Sequence, residues 1–189
     1  MDRFERLLTA LDPELAAHCG RAGAIATEVA SFMGLPSERI DLLDTGARLH
    51  DIGKIFISRA ILDKPGPLDD AEWSELRRHP LMGYELVRDE VQDRIAEIVL
   101  THHERFDGTG YPRGLAGHAT PIEARILQAA DAIDAITTER PYQPALPLRY
   151  ALNELIRCAG SQFDPVVVEA VVELDQRDNW EAISDPIAV

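Results

Sequence analysis

Cysteine is nearly absent from this chain. Cys19 and Cys158 are the only two, they stand far apart, and neither lies in a CxxC pair. That supports neither a disulfide framework nor a structural zinc site. Long apolar runs are missing as well. The longest, such as residues 165–168, are far too short to span a bilayer. The first six residues carry no signal-peptide pattern. Positive charge is scarce, with 19 basic against 33 acidic residues and a net charge of −14. A nucleic-acid backbone or an anionic membrane surface is a poor partner for such a chain. A small anionic ligand is not excluded, because two or three divalent cations would reverse the field locally. No GK[ST] sequence and no GxSxG elbow occurs, which removes the P-loop and the serine-hydrolase readings. Gly108-Thr109-Gly110 has neither a preceding strand nor the third glycine of a dinucleotide fingerprint. There is no internal repeat, low-complexity segment or linker. The expectation is a soluble cytoplasmic protein or cytoplasmic domain.

What is present is helix-forming sequence. The 189 residues, 46% of them apolar, suit one domain with a real core. Asp12 and Pro13 read as the cap and first position of a helix. Leu15, Cys19, Ala22, Ala26, Val29 and Met33 then form a stripe at alternating spacings of four and three. Gly34 and Pro36 stop it. Ser37 is expected to cap a second helix that carries Leu42, Leu43, Ala47 and His50 on one side and ends near Gly53. A short extended piece is expected at Ile55, Phe56 and Ile57, and a turn at Pro65-Gly66-Pro67. Asp69 or Asp70 opens a helix that runs to His79, where Pro80 breaks it, and a further helix is expected from about Leu81 to Arg88. Another helix, residues 95–104, ends in the pair His102-His103, followed by a loop with four glycines in residues 108–117. Pro121 starts a long apolar helix with Asp131 and Asp134 three apart, and a buried carboxylate there must be paired or a ligand. Two further helices follow, at about 148–158 and 165–174. Asp164 before Pro165 reads as a cap.

Six histidines are distributed over this frame: His18, His50, His79, His102, His103 and His118. His50 is followed directly by Asp51. Imidazole and carboxylate together are the ligand set of iron, manganese and related divalent metals. Glu14 and His18 are four apart and lie one turn above the other. A carboxylate at a helix N-terminus is also favoured there by the helix dipole.

His50-Asp51-Ile52-Gly53-Lys54, together with His102-His103-Glu104, Asp107-Gly108-Thr109-Gly110-Tyr111-Pro112, strongly resembles the HD-GYP family, a group of HD metal-dependent phosphohydrolases. Further matches are His18 with Arg21, residues 62–68, His79-Pro80, Arg125-Ile126-Leu127, Asp131 with Asp134, Arg140-Pro141-Tyr142, and Ala159-Gly160 followed by Phe163-Asp164-Pro165. The resemblance covers about residues 12–175. It implies an all-α helical bundle of about seven to eight helices. Residues 1–11, with Phe4, Leu7, Leu8 and Leu11 at helical spacing, would be a connecting or dimerising helix or extension, and 176–189 a C-terminal tail.

The resemblance also implies an activity: hydrolysis of the bacterial messenger cyclic di-GMP to pGpG, GMP or both, through a hydroxide shared by two metals. The implied metal ligands are His18, His50, Asp51, His79, His102, His103 and Asp131, with Asp51 bridging. Glu14 occupies the place of a ligand to a third metal in some members. Two or three divalent ions, iron or manganese, are therefore expected. Lys54, Tyr111 and Arg140 would contact the substrate. Alternatives are another cyclic dinucleotide or a nucleotide as substrate, or a weakly active cyclic di-GMP-sensing module. A homodimer or an upstream sensory or receiver domain would fit the family pattern. Three positions depart from it. Ser58-Arg59 replaces Pro-Asp, His118 replaces an acidic residue and is read as exposed and not a ligand, and Gln143 replaces a cation that would help hold a phosphate.

Overall fold

A computed structural model describes residues 3–139 and 144–178. Within them the chain forms ten α-helices and no sheet: α1 (Arg3–Leu11), α2 (Pro13–Phe32), α3 (Ser37–Leu49), α4 (Arg59–Leu62), α5 (Asp70–Leu76), α6 (His79–Val87), α7 (Asp93–Thr101), α8 (Ile122–Thr137), α9 (Leu148–Arg157) and α10 (Pro165–Asp178). The all-α expectation holds. The count exceeds seven or eight because short helices such as α4, four residues long, were not separable by periodicity.

The long helix α2 is the axis of the fold and packs on α3 and α8. Its stripe behaves as the spacing requires: Cys19, Ala22, Ala26 and Val29 are buried. Small residues on both helices, Ala22 and Ala26 on α2 and Ala129 and Ala130 on α8, let the backbones approach closely, and Leu43, Ile126, Ile133, Phe163 and Val171 fill the main core around them. A second core gathers Phe4 of α1, Leu49, Ile52, Val87, Ile95 and Val99. So α1 packs against the body through Phe4 and Leu8, while Leu7 and Leu11 stay exposed.

Local capping follows elementary chemistry. Asp12 accepts the Leu15 N–H at 3.0 Å with Pro13 at the first helical position. Asp69 and Glu72 form a reciprocal capping box at the start of α5. Asp164 accepts the Val166 N–H at 2.9 Å at the start of α10, and its other oxygen pairs with Arg125 of α8. Several local expectations are corrected. The helix from Asp70 ends at Leu76, and Pro80 does not break a helix but lies in the first turn of α6, which starts at His79. The helix α3 ends at Leu49, short of Gly53. Ser37 does not cap α3; Pro36 takes that position without a side-chain bond. Ile55 and Phe56 are not extended but belong to a 3-10 helix, Ile52–Phe56, and only Ile57 has β geometry.

That 3-10 helix is explained by a close approach. A Cβ on Gly53 would lie 2.0 Å from the His79 carbonyl oxygen and 2.6 Å from the Gly83 nitrogen. Only glycine lets the segment after Asp51 lie directly on the first turn of α6. A buried carboxylate ties three more elements together: Glu123 of α8 accepts from Arg39 of α3 and Arg94 of α7, each at 2.7 Å.

Candidate metal centre

Five separate segments supply the site. His18 comes from the second turn of α2, His50 and Asp51 from the end of α3, His79 from the start of α6, His102 and His103 from the end of α7, and Asp131 from the middle of α8. Three of the histidines are built in the same way. His50 Nδ1 lies 2.7 Å from the Ala47 carbonyl, His79 Nδ1 2.7 Å from that of Leu76, and His102 Nδ1 2.8 Å from that of Val99. Each carbonyl is in the last turn of a helix, where the backbone has no intrahelical donor left. The ring Nδ1–H fills that need, which fixes the tautomer and leaves Nε2 as a bare lone pair. His18 is oriented differently, by Asp134, whose Oδ2 is 2.6 Å from its Nδ1; Arg21 holds the same carboxylate at 2.6 Å.

The Nε2 atoms converge on Asp51, and they do so in two sets. Asp51 Oδ1 lies 3.1 Å from His79 Nε2 and 3.8 Å from His102 Nε2. Asp51 Oδ2 lies 3.4 Å from His50 Nε2 and 3.8 Å from His18 Nε2. The donor atoms of Asp51, His79, His102 and His103 all lie within 4.8 Å of one another, and so do those of His18, His50 and Asp51. Asp51 belongs to both. Asp131 meets His18 Nε2 at 3.1 Å, on the side of the second set. Lys54 sets its ammonium 2.5 Å from Asp51 Oδ2.

The environment suits cations. His50 Nε2 and Asp51 Oδ1 are buried without a hydrogen-bond partner among the described residues. Leaving such groups unsatisfied is costly, and a divalent ion is the partner that a nitrogen lone pair and a carboxylate oxygen share. Burial, reinforced by His79, lowers the pKa of His103 to about 3, and burial with the neighbouring His103 drives His102 well below the ordinary value. Both are therefore neutral, as ligands must be. Burial disfavours charge on His18, but hydrogen bonds to Asp131 and Asp134 outweigh it and raise its pKa to about 9. A cation at Nε2 would take the place of that proton. Burial would raise the Asp51 carboxyl, yet Lys54 and His50 hold it well below the usual range. The residues present thus fit divalent metal.

Of the other sequence-derived candidates, Tyr111 lies over His103 with ring centroids 4.9 Å apart. Glu14 is exposed in the first turn of α2 and joins neither set. His118 is exposed, as read. Arg140 and Gln143 lie outside the described residues.

The GYP loop is placed by a residue whose role the motif did not reveal. Glu104, buried, accepts the backbone N–H groups of Arg113 at 2.6 Å and Leu115 at 2.9 Å. Gly110 completes the fit: a Cβ there would lie 2.2 Å from the Arg105 nitrogen. The loop is thereby folded back over the end of α7, and Tyr111 is set above His103.

A family model described as HD domain matches residues 3–167. The cyclic di-GMP phosphodiesterase response regulator RpfG of Xanthomonas campestris pv. campestris is 40% identical over 176 residues, which cover 91% of this chain and 46% of that protein. A cyclic di-GMP phosphodiesterase of Thermotoga maritima is 38% identical over 168 residues, 87% of this chain and 46% of that protein. The chain therefore spans about half the length of these curated relatives. Among solved structures, a cyclic GMP-AMP specific phosphodiesterase of V. cholerae (V-cGAP3) superposes with a TM-score of 0.74 over 97% of this chain and 51% of that one, at 19% identity, a likeness of fold. With the histidine-aspartate pair, the HHE-to-GYP motif and the helical bundle in agreement, the chain belongs to the HD domain family, in its HD-GYP group.

Proposed function

We propose that this chain is a metal-dependent phosphodiesterase that hydrolyses cyclic di-GMP to linear pGpG, to GMP, or to both, in the cytoplasm. The observation that carries the reading is the position of Asp51, with one oxygen toward His79 and His102 and the other toward His50 and His18. A carboxylate placed in this way could be shared by two cations. His79, His102 and His103 would hold one, and His18, His50 and Asp131 the other. Histidine and carboxylate ligands suit iron or manganese. When bound, two such ions acidify water and neutralise charge on a phosphoryl group.

The protein's own groups do the rest. His102 and His103 stay neutral through burial, so these two bind without first losing a proton. Lys54 is a cation at the edge of the site, and a metal on Asp51 Oδ2 would free its ammonium for a non-bridging phosphate oxygen. Tyr111 closes one side of the cluster and excludes water from the face of His103. The similarity of the named cyclic di-GMP phosphodiesterases supports the choice of substrate.

The test is a direct one. Protein purified without oxygen and loaded with iron or manganese is assayed with cyclic di-GMP in competition with 3′,3′-cyclic GMP-AMP. Metal-dependent release of pGpG or GMP, with a higher kcat/KM for cyclic di-GMP, is expected. Preference for the mixed dinucleotide would move the substrate assignment, and no turnover with two metals bound would overturn the enzymatic reading.

A further inference from the structure

Arg77 follows α5, two residues before His79. Its guanidinium carbon lies 5.8 Å from the ring centroid of Trp73 and 5.6 Å from that of Tyr111. Tyr111 in turn covers His103. The layer thus runs from the surface, where Trp73 is 44% exposed, to a ring of the metal centre. Burial raises the Tyr111 pKa, and Asp51, Arg77 and Asp131 all act on the same hydroxyl, so the layer ends within electrostatic reach of the site.

In a chain this acidic, many surface arginines find carboxylates. Arg59 pairs with Asp12, Arg78 with Glu75, Arg88 with Glu85 and Arg113 with Glu97. Among the described residues Arg77 has no carboxylate within ion-pair distance, and no oxygen accepts from its guanidinium; its contacts are the two rings. Contact with aromatic rings engages the face of the planar guanidinium and leaves the N–H edge available. An edge of N–H donors held in one orientation suits a phosphate, which accepts two parallel bonds. A flexible lysine at this position would give charge without that geometry.

Resting on the phosphodiesterase reading above, we infer that Arg77 binds a phosphate of the substrate, held beside the metal centre by Trp73 and Tyr111. It is a cation that the acidic chain leaves uncommitted at the place where an anionic substrate must arrive.

The experiment compares metal-loaded wild type, Arg77→Met and Arg77→Lys. Methionine keeps an apolar stem on Trp73 and removes every donor. Loss of a charge-assisted bond should raise KM about ten- to a hundredfold with kcat within about threefold. Affinity for pGpG, measured by equilibrium titration, should fall by the same factor, while metal content and thermal midpoint stay at wild-type values. Arg77→Lys should recover only part of the loss. Wild-type KM and pGpG affinity in Arg77→Met would overturn the inference. So would loss of metal in step with activity, which would mean that Arg77 only supports His79. Wild-type protein that binds no pGpG and cleaves no cyclic dinucleotide would instead refute the phosphodiesterase reading, and this inference with it.

Discussion

His79 and His102 face each other Nε2 to Nε2 at 3.2 Å. Each ring donates its Nδ1–H to a helix-end carbonyl, so the two Nε2 atoms direct lone pairs at the same space. Two lone pairs this close repel unless a cation lies between them. Divalent metal should therefore stabilise the fold. At a concentration of about a hundred times Kd the gain is about 2.7 kcal/mol, or about 5–10 °C in Tm for a chain of this size. Calorimetry with manganese and then with excess chelator checks this. An unchanged Tm would refute the metal centre.

Asp51 and Lys54 should part company on substitution. Asp51→Ala removes a ligand common to both sets, so metal content should fall for both ions together. Lys54→Ala should keep its metal and lose about ten- to a hundredfold in kcat/KM, the worth of one charge-assisted contact. Elemental analysis beside the activity assay separates the two. If Lys54→Ala loses metal in proportion to activity, the division of roles is wrong.

Asp134 orients His18 without reaching toward Asp51. Asp134→Asn preserves shape but removes the anion that holds Nδ1–H and Arg21. Metal affinity should drop about 10–100-fold, the usual cost of an outer-sphere partner, with helix content unchanged. Metal titration of the variant and the wild type at one pH decides the point.

Glu14 tests the number of ions. Two donor sets converge on Asp51 and Glu14 stands outside both, so Glu14→Gln should leave two metals per chain by native mass spectrometry. A count that falls from three to two would establish a third ion and make Glu14 its ligand.

Glu123 links stability to pH. Burial would raise its pKa, but Arg39 and Arg94 lower it below the ordinary carboxylate value. A depressed pKa contributes stability above the unfolded value of about 4.3 and loses it as pH falls through the folded one. Both arginines are partly exposed and can be rehydrated. Glu123→Gln should therefore cost about 2 kcal/mol at pH 7, and the gap between the two denaturation curves should narrow below pH 4. A gap independent of pH would show that packing, not charge, is the cause.

The helices and the histidine cluster are legible in the sequence for different reasons. The stripe of Cys19, Ala22, Ala26 and Val29 is a periodic signal, and the structure buries all four. The histidines carry no period; they were found by residue type and by the family motif. Residues that act through long-range partners left no local trace. Glu123 is one acid among many in the sequence, and only the fold shows Arg39 and Arg94 meeting on it. Glu104 sits inside the motif, but its use as acceptor for the loop at Arg113 and Leu115 depends on a chain reversal that the spacing does not reveal. At residues 55–57, β-branched and aromatic side chains favour a strand, but only Ile57 is extended; Ile55 and Phe56 continue the 3-10 helix that Gly53 seats on α6.

That contact at Gly53 has a consequence for how the protein can change. Main chain rests on main chain there, with the segment after Asp51 seated on the His79 carbonyl and the Gly83 nitrogen. The separation of Asp51 and His79 is thus set largely by atoms common to every residue type, with Ile52 and Val99 of the second core lying against Gly83. Substitutions in the main core, around Ala22, Ile126 and Phe163, can loosen or tighten the bundle while this spacing stays fixed. Stability is therefore free to vary there without moving Asp51 from His79.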